Sequence, residues 1–115
     1  MRFDFTNTRI YIKPGATDFR TSREELLHMI KDVMKKDPFS GAVFIFCNKN
    51  RKLLKMIFWD RNGFWTASKV LEKGSWPWPD TADGTRELNM AQIRMLLKGI
   101  DFFHQHKPLD FKNID

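Results

Sequence analysis

The stretch DPFSGAVFIFCNKNRKLLKMIFWDRNGFW, residues 37–65, decides the fold because it joins two dense apolar runs through a short polar loop. The first run, Ala42 to Cys47, is rich in β-branched and aromatic residues and is too short for a helix. The second run, Leu53 to Trp59, has the same character. The loop at residues 48–51 contains asparagines, which tolerate the left-handed conformations that hairpin turns require. The stretch therefore predicts a β-hairpin.

Both faces of each run are apolar. In the first run Val43 and Ile45 alternate with Phe44 and Phe46. Strands that are apolar on both faces lie inside a sheet, with covering layers above and below. We therefore expect the hairpin to form the centre of the sheet.

The same stretch carries a cluster of positive charge. After the first run, the stretch contains five basic residues and a single acid, Asp60, so its local net charge is +4. The cluster consists of Lys49, Arg51, Lys52, Lys55 and Arg61. We predict that these five side chains bind nucleic acid.

Composition supports one small basic domain. The chain has 115 residues, 20 Lys and Arg against 14 Asp and Glu, and a pI near 9.7. We expect a single domain over residues 1–103 and a partly ordered tail over residues 104–115. A net charge of +6 favours an acidic partner, most commonly nucleic acid, although an ordinary basic protein remains the alternative.

Cysteine content and hydropathy indicate a cytoplasmic location. The single cysteine, Cys47, excludes an internal disulfide and is expected to be a packed thiol within a strand. No apolar run approaches the roughly 20 residues that cross a bilayer, and the N-terminus lacks a signal-peptide core. We therefore expect no membrane association.

Before the hairpin, the sequence predicts a strand and a helix. Arg9 to Lys13 alternates as a strand does, and Pro14-Gly15 ends it. Thr21 and Ser22 each precede a glutamate by three residues, so two overlapping capping boxes mark a helix that should run to about Lys36.

After the hairpin, Phe64 to Leu71 is a third strand or a short helix, and the preceding turn favours the strand. Prolines then exclude the segment that contains Trp76 and Trp78 from a central strand. Its tryptophans are either exposed for a partner or cover the small core. A short strand, residues 86–88, precedes a helix that Asn89 caps.

These elements predict an α+β fold, with a mainly antiparallel sheet of four or five strands flanked by two helices.

Motifs for phosphate loops, zinc proteases, redox cysteines and serine hydrolases are missing, so we expect no catalytic residue and no cofactor. His104 and His106 lack a further ligand nearby in the sequence, so we expect no metal site.

The order of several short motifs resembles one family. RIYIKPGATDFR, the central stretch, KVLEKG, WPWP and LNMAQIRMLLKGID follow one another as in the TnpB-type accessory protein, often called Orf2, of bacterial insertion sequences of the IS sixty-six group. The resemblance covers residues 9–101. It implies a protein that assists a separate transposase and has no settled biochemical activity of its own.

The resemblance also selects polar residues as functional candidates. Besides Lys55, they are Arg9, Asp18, Arg20, Asp60 and Lys69. The near-neutral tail departs from relatives that commonly end in a basic run. We expect a transposition accessory protein that grips the DNA backbone with the hairpin cations; the alternative is a scaffold whose Trp76 and Trp78 bind the transposase without contacting nucleic acid.

Overall fold

A five-stranded mixed sheet forms the centre of the computed structural model, which describes residues 7–80 and 84–99. The strands are β1 (Ile10–Ile12), β2 (Val43–Cys47), β3 (Leu53–Asp60), β4 (Gly63–Val70) and β5 (Arg86–Leu88). Their order across the sheet is β4-β3-β2-β1-β5. Only β1 and β2 run parallel, and the other neighbouring strands of this sheet are antiparallel. The α+β prediction is confirmed, including the central hairpin and the third strand.

The first helix, α1 (Arg23–Asp32), begins with one of the two capping boxes in the sequence. The hydroxyl of Ser22 accepts the N–H of Glu25, and the Glu25 carboxylate accepts the N–H of Ser22. Thr21 instead donates its hydroxyl to the carbonyl of Asp18. The helix ends earlier than expected, with Val33 as its C-cap, and Lys35 in the turn that follows has a left-handed φ of 60°.

The second helix, α2 (Met90–Leu97), begins where its sequence predicts. Asn89 and Gln92 exchange the two hydrogen bonds of a capping box, at 2.8 and 2.9 Å. Gly99 follows the helix with a φ of +81°, a conformation that glycine adopts without steric cost.

The two helices cover opposite faces of the sheet. Leu26 and Ile30 of α1 pack with Phe44 and Phe46 on one face, and Ile93 of α2 packs on the other. The second face also buries Val43, Ile45, Cys47, Leu54, Phe58, Trp76, Trp78 and Leu96. The alternation along β2 therefore divides the core into two layers, as expected for a strand buried on both sides.

The sheet has two ends that carry different loops. At one, which we call the loop end, residues 48–52 join β2 to β3 and residues 13–20 follow β1. At the other, the turn end, Arg61 and Asn62 join β3 to β4. Gly63 is the first residue of β4 and pairs with Asp60. The two residues at the centre of the tight turn are therefore Arg61 and Asn62, and not Asn62 and Gly63.

Candidate nucleic-acid interface

The loop that joins β2 to β3 is shaped by one asparagine. The side-chain oxygen of Asn48 accepts the N–H groups of Lys52 and Leu53, both at 3.0 Å, and its carbonyl accepts the N–H of Arg51. The left-handed residue is Arg51, with a φ of 59°, and not one of the asparagines as the sequence suggested. Asn48 thus organises the loop through its side chain, as asparagine often does in turns.

The segment after β4 is fastened to this loop. The N–H of Leu71 donates to the carbonyl of Lys52 at 2.8 Å, and the N–H of Trp76 donates to the carbonyl of Arg51 at 2.6 Å. The Lys52 ammonium returns a hydrogen bond to the carbonyl of Gly74 at 2.5 Å. These contacts hold the basic loop in one conformation, so its charges are presented from a fixed backbone.

Five cations gather at the loop end, and we call them the loop-end surface: Arg20, Lys49, Arg51, Lys52 and Lys69. Lys69 joins the loop residues because it pairs with Leu54 in the ladder, close to where β3 begins. Its ammonium lies 5.7 Å from the centre of the Trp76 ring. Arg51 lies 3.5 Å from Asp80 and Arg20 lies 2.7 Å from Asp18, so two of the five charges have acidic partners.

The structure does not bring the five predicted cations together, because Lys55 and Arg61 lie away from the hairpin loop. Lys55 lies within β3, half-buried, with its ammonium 5.5 Å from the centre of the Phe19 ring. Arg61 lies in the turn at the far end of β3, about 30 Å of extended chain from Lys52. Lys52 and Arg61 are close in the sequence, but the extended strand β3 between them places them at opposite ends of the sheet.

A groove of about 690 Å³ lies between the 16–20 loop and the basic hairpin loop. Asp18 and Arg20 line it together with Lys49. The Arg20 guanidinium contacts both Asp18 oxygens, at 2.7 to 3.2 Å. These hydrogen bonds hold the pKa of Asp18 at about 2, so the carboxylate stays charged and fixes the guanidinium in place.

The other polar candidates of the family motif lie apart from the groove. Arg9 precedes β1 at the turn end and lies 3.6 Å from Glu87 of β5. Asp60 closes β3 and accepts a hydrogen bond from the indole N–H of Trp65 at 3.0 Å. These two residues therefore have structural contacts at the turn end, and the set does not form one site.

Trp76 and Trp78 are buried, which supports the alternative in which they cover the core and contradicts the one in which they are exposed for a partner. Each is 1% exposed, and both pack in the core layer under α2. The indole N–H of Trp78 donates to the carbonyls of Lys13 and Gly15, at 3.1 and 3.0 Å. The prolines keep the segment out of the sheet, and the rings fill the space beside the short strands β1 and β5.

Within residues 7–80 and 84–99, no group of three His, Cys, Asp or Glu side chains could hold a metal ion. Cys47 is buried, as expected, and burial raises the pKa of its thiol to about 12. Across the same ranges, neither helix is long and apolar enough to cross a membrane. His104 and His106, like the rest of the 104–115 tail, lie outside the described residues.

Fold and charge together define a small α+β protein that presents a basic, preorganised loop surface. The chain belongs to the family described as IS66 Orf2 like protein, whose model matches residues 8–107. This membership confirms the resemblance seen in the sequence and indicates an accessory role in transposition.

Two proteins of Sinorhizobium fredii (strain NBRC 101917 / NGR234) are similar to this chain over most of their length. One, named uncharacterized protein y4hO, is 35% identical over 98 residues, which is 85% of each chain. The other, named uncharacterized protein y4jC, is 29% identical over 102 residues, or 88% of this chain and 87% of the relative. No solved structure is significantly similar to this chain.

Proposed function

We propose that this protein assists transposition by binding the DNA backbone through the loop-end surface, without catalysing a reaction itself. The observation that carries the proposal is the convergence of Lys49, Lys52 and Lys69 on one exposed end of the sheet. None of the three forms an ion pair with an acid among the described residues, so their charges are available to phosphates. The transposase of the same element is the expected protein partner.

The arrangement favours backbone contacts over base recognition. Lysine ammonium groups contact phosphates as point charges, whereas reading bases requires an element that enters a groove. Both helices place their apolar stripes against the sheet, and the loop-end surface consists of loops and a strand terminus. Binding should therefore depend weakly on sequence and strongly on salt.

The test removes these three charges together. Changing Lys49, Lys52 and Lys69 to Gln keeps each long side chain and removes its charge. For wild-type protein we expect a log-log salt slope on the order of −3 to −4 for duplex DNA, and the triple variant should reduce its magnitude by roughly 2 to 3. Fluorescence anisotropy with a labelled duplex over a range of salt concentrations measures both values.

A matched control separates this surface from net charge. Arg9, Arg94 and Lys98 are exposed and lie outside the loop-end surface, the first directly before β1 and the other two in α2 and at its C-cap. Changing them to Gln removes the same total charge. The control should retain most of the salt slope. Equal losses in both triple variants would mean that binding follows net charge alone, and a flat salt response in the wild type would exclude the electrostatic mechanism.

The scaffold alternative has lost its named surface, because both tryptophans are buried. A transposase pulldown with and without nuclease distinguishes the two roles. Under the proposal, nuclease treatment weakens the association, since DNA connects or strengthens the complex. Association that is unchanged by nuclease, together with no DNA binding by the purified protein, would favour a scaffold that uses some other face.

A further inference from the structure

Three aromatic rings form a cluster at the turn end, opposite the loop-end surface. Phe39 lies 5.1 Å from Trp59 and 5.5 Å from Phe64, and Trp59 lies 5.0 Å from Phe64, all between ring centres. Phe39 is 56% exposed, although phenylalanine is usually buried in a domain with an available core. We call these three residues the aromatic cluster.

The backbone holds Phe39 on the surface. The Asp37 carboxylate accepts the N–H of Phe39 at 2.9 Å, and the Asp37 carbonyl accepts the N–H of Ser40 at 3.1 Å. Pro38, which lies within this turn, is buried. The ring is therefore presented by an ordered turn, which reduces the conformational entropy that the protein would lose when a ligand stacks on the ring.

Positive charge surrounds the aromatic cluster. A groove of about 490 Å³ beside Phe39 is lined by Lys31, Lys35 and Lys36, and the acid in its lining, Asp37, already accepts the backbone hydrogen bond from Phe39. Arg61 lies in the turn beyond the Trp59–Phe64 ladder pair, separated from it by the pair of Asp60 and Gly63, and the Asp60 carboxylate accepts a hydrogen bond from the Trp65 indole.

Two of these cations lie at backbone positions whose left-handed conformation is unfavourable for most residues. Lys35 and Arg61 are left-handed, with φ values of 60° and 58°, where glycine or asparagine fits with less strain. Arg23, whose guanidinium lies 5.9 Å from the Phe64 ring centre, adds little net charge because it pairs with Glu24. The groove still carries an excess of positive charge.

We propose that the aromatic cluster is a stacking platform for unpaired bases of single-stranded nucleic acid. Phe39 is an exposed ring that packs on two half-buried rings and is bordered by cations. This arrangement matches the two features that single strands offer, which are accessible base faces and a phosphate backbone. Bases within a duplex are already stacked and present no face to a ring. The proposal extends the proposed DNA binding to a second surface, about 25 Å away along β3, and charge complementarity favours nucleic acid over a neutral protein partner.

The test compares two strands that carry the same phosphates. One is oligo(dT) of about ten nucleotides, and the other is an abasic strand of equal length, so only stacking distinguishes them. Wild-type protein should bind oligo(dT) at least about fivefold more tightly, the effect of stacking one base. The Phe39→Ser variant should reduce this ratio to near one while binding to the abasic strand persists.

Three variants make the result specific. Phe39→Leu keeps an apolar contact with Trp59 if the serine variant is unstable, yet it should also lose the preference because it lacks a ring. Leu97→Ser removes a comparably exposed apolar side chain from α2 and should leave the ratio unchanged. The Lys49, Lys52 and Lys69 triple variant should weaken duplex binding but preserve the ratio, which keeps this proposal separate from the first.

Some outcomes would overturn the platform. A ratio near one in the wild-type protein would mean that bases are not recognised, whatever else the surface binds. A ratio that survives both Phe39 variants would place the stacking residues elsewhere. If duplex binding fails while the base preference depends on Phe39, the platform stands and the loop-end proposal falls.

Discussion

At the scale of one residue, Arg51 is a charged side chain at a backbone position whose left-handed conformation favours glycine. Its φ of 59° lies in the left-handed region, which costs most residues about 1 kcal/mol relative to glycine. Its contact with Asp80 is a surface ion pair, which typically contributes little. The hydrogen bond that its carbonyl accepts from Trp76 is a backbone contact that a glycine would keep.

We therefore predict that Arg51→Gly stabilises the protein by about 0.5–1 kcal/mol, since the relief of strain exceeds the entropy that glycine adds to the unfolded chain. Urea unfolding monitored by tryptophan fluorescence measures the change. Lys49→Gly is the matched control in the same loop, because Lys49 is not left-handed, and it should be slightly destabilising. Equal losses in both variants would contradict the strain at Arg51.

At the scale of an element, the start of α1 resolves an ambiguity that the sequence leaves open. Thr21 and Ser22 both have a glutamate three residues later, but only Ser22 exchanges hydrogen bonds with its glutamate. We predict that Ser22→Ala costs about 1 kcal/mol, the usual effect of removing an N-cap. Thr21→Ala should cost about 0.5 kcal/mol or less, because its hydroxyl closes an exposed turn.

Thermal or urea unfolding of these two variants checks the prediction, with circular dichroism reporting helix content. The glutamates provide a second comparison. Glu25→Ala should also destabilise α1, whereas the Glu24 side chain pairs with Arg23 on the surface and should matter less. A larger effect at Thr21 than at Ser22 would mean that the helix begins one residue earlier.

Local patterns explain why the elements were predictable. The β2–β3 hairpin follows from two adjacent apolar runs, and both helix starts follow from side chains three residues apart. The placement of β1 beside β2 depends on contacts between distant residues, which no local pattern encodes. The same limit applies to the candidate site. Lys49 and Lys52 are neighbours in the sequence and in the structure, whereas Arg61 lies at the far end of β3 and Arg20 is brought to the groove by the fold.

At the scale of the whole molecule, the segment from Leu71 to Pro79 connects regions that the sheet alone would leave apart. Its start is hydrogen-bonded to the basic hairpin loop, and its end accepts the N–H of Gly15 beside β1 at 2.8 Å. Between these contacts, Trp76 and Trp78 enter the core layer beneath α2. The sequence left open whether the two tryptophans cover the core or are exposed for a partner, and their burial supports the first alternative.

The two tryptophans are equally buried but differ in their polar contacts, which leads to the last prediction. The Trp78 indole N–H donates to two backbone carbonyls, of Lys13 and Gly15, whereas the Trp76 indole N–H has no hydrogen-bond partner among the described residues. Replacing either ring with Phe removes similar volume, but only Trp78→Phe leaves partly buried carbonyls without their donor. We expect Trp78→Phe to lower the free energy of unfolding by about 1 kcal/mol or more beyond the loss in Trp76→Phe. Urea unfolding of both variants measures this difference, and equal losses would mean that ring volume, and not the hydrogen bonds of Trp78, fastens the segment to β1.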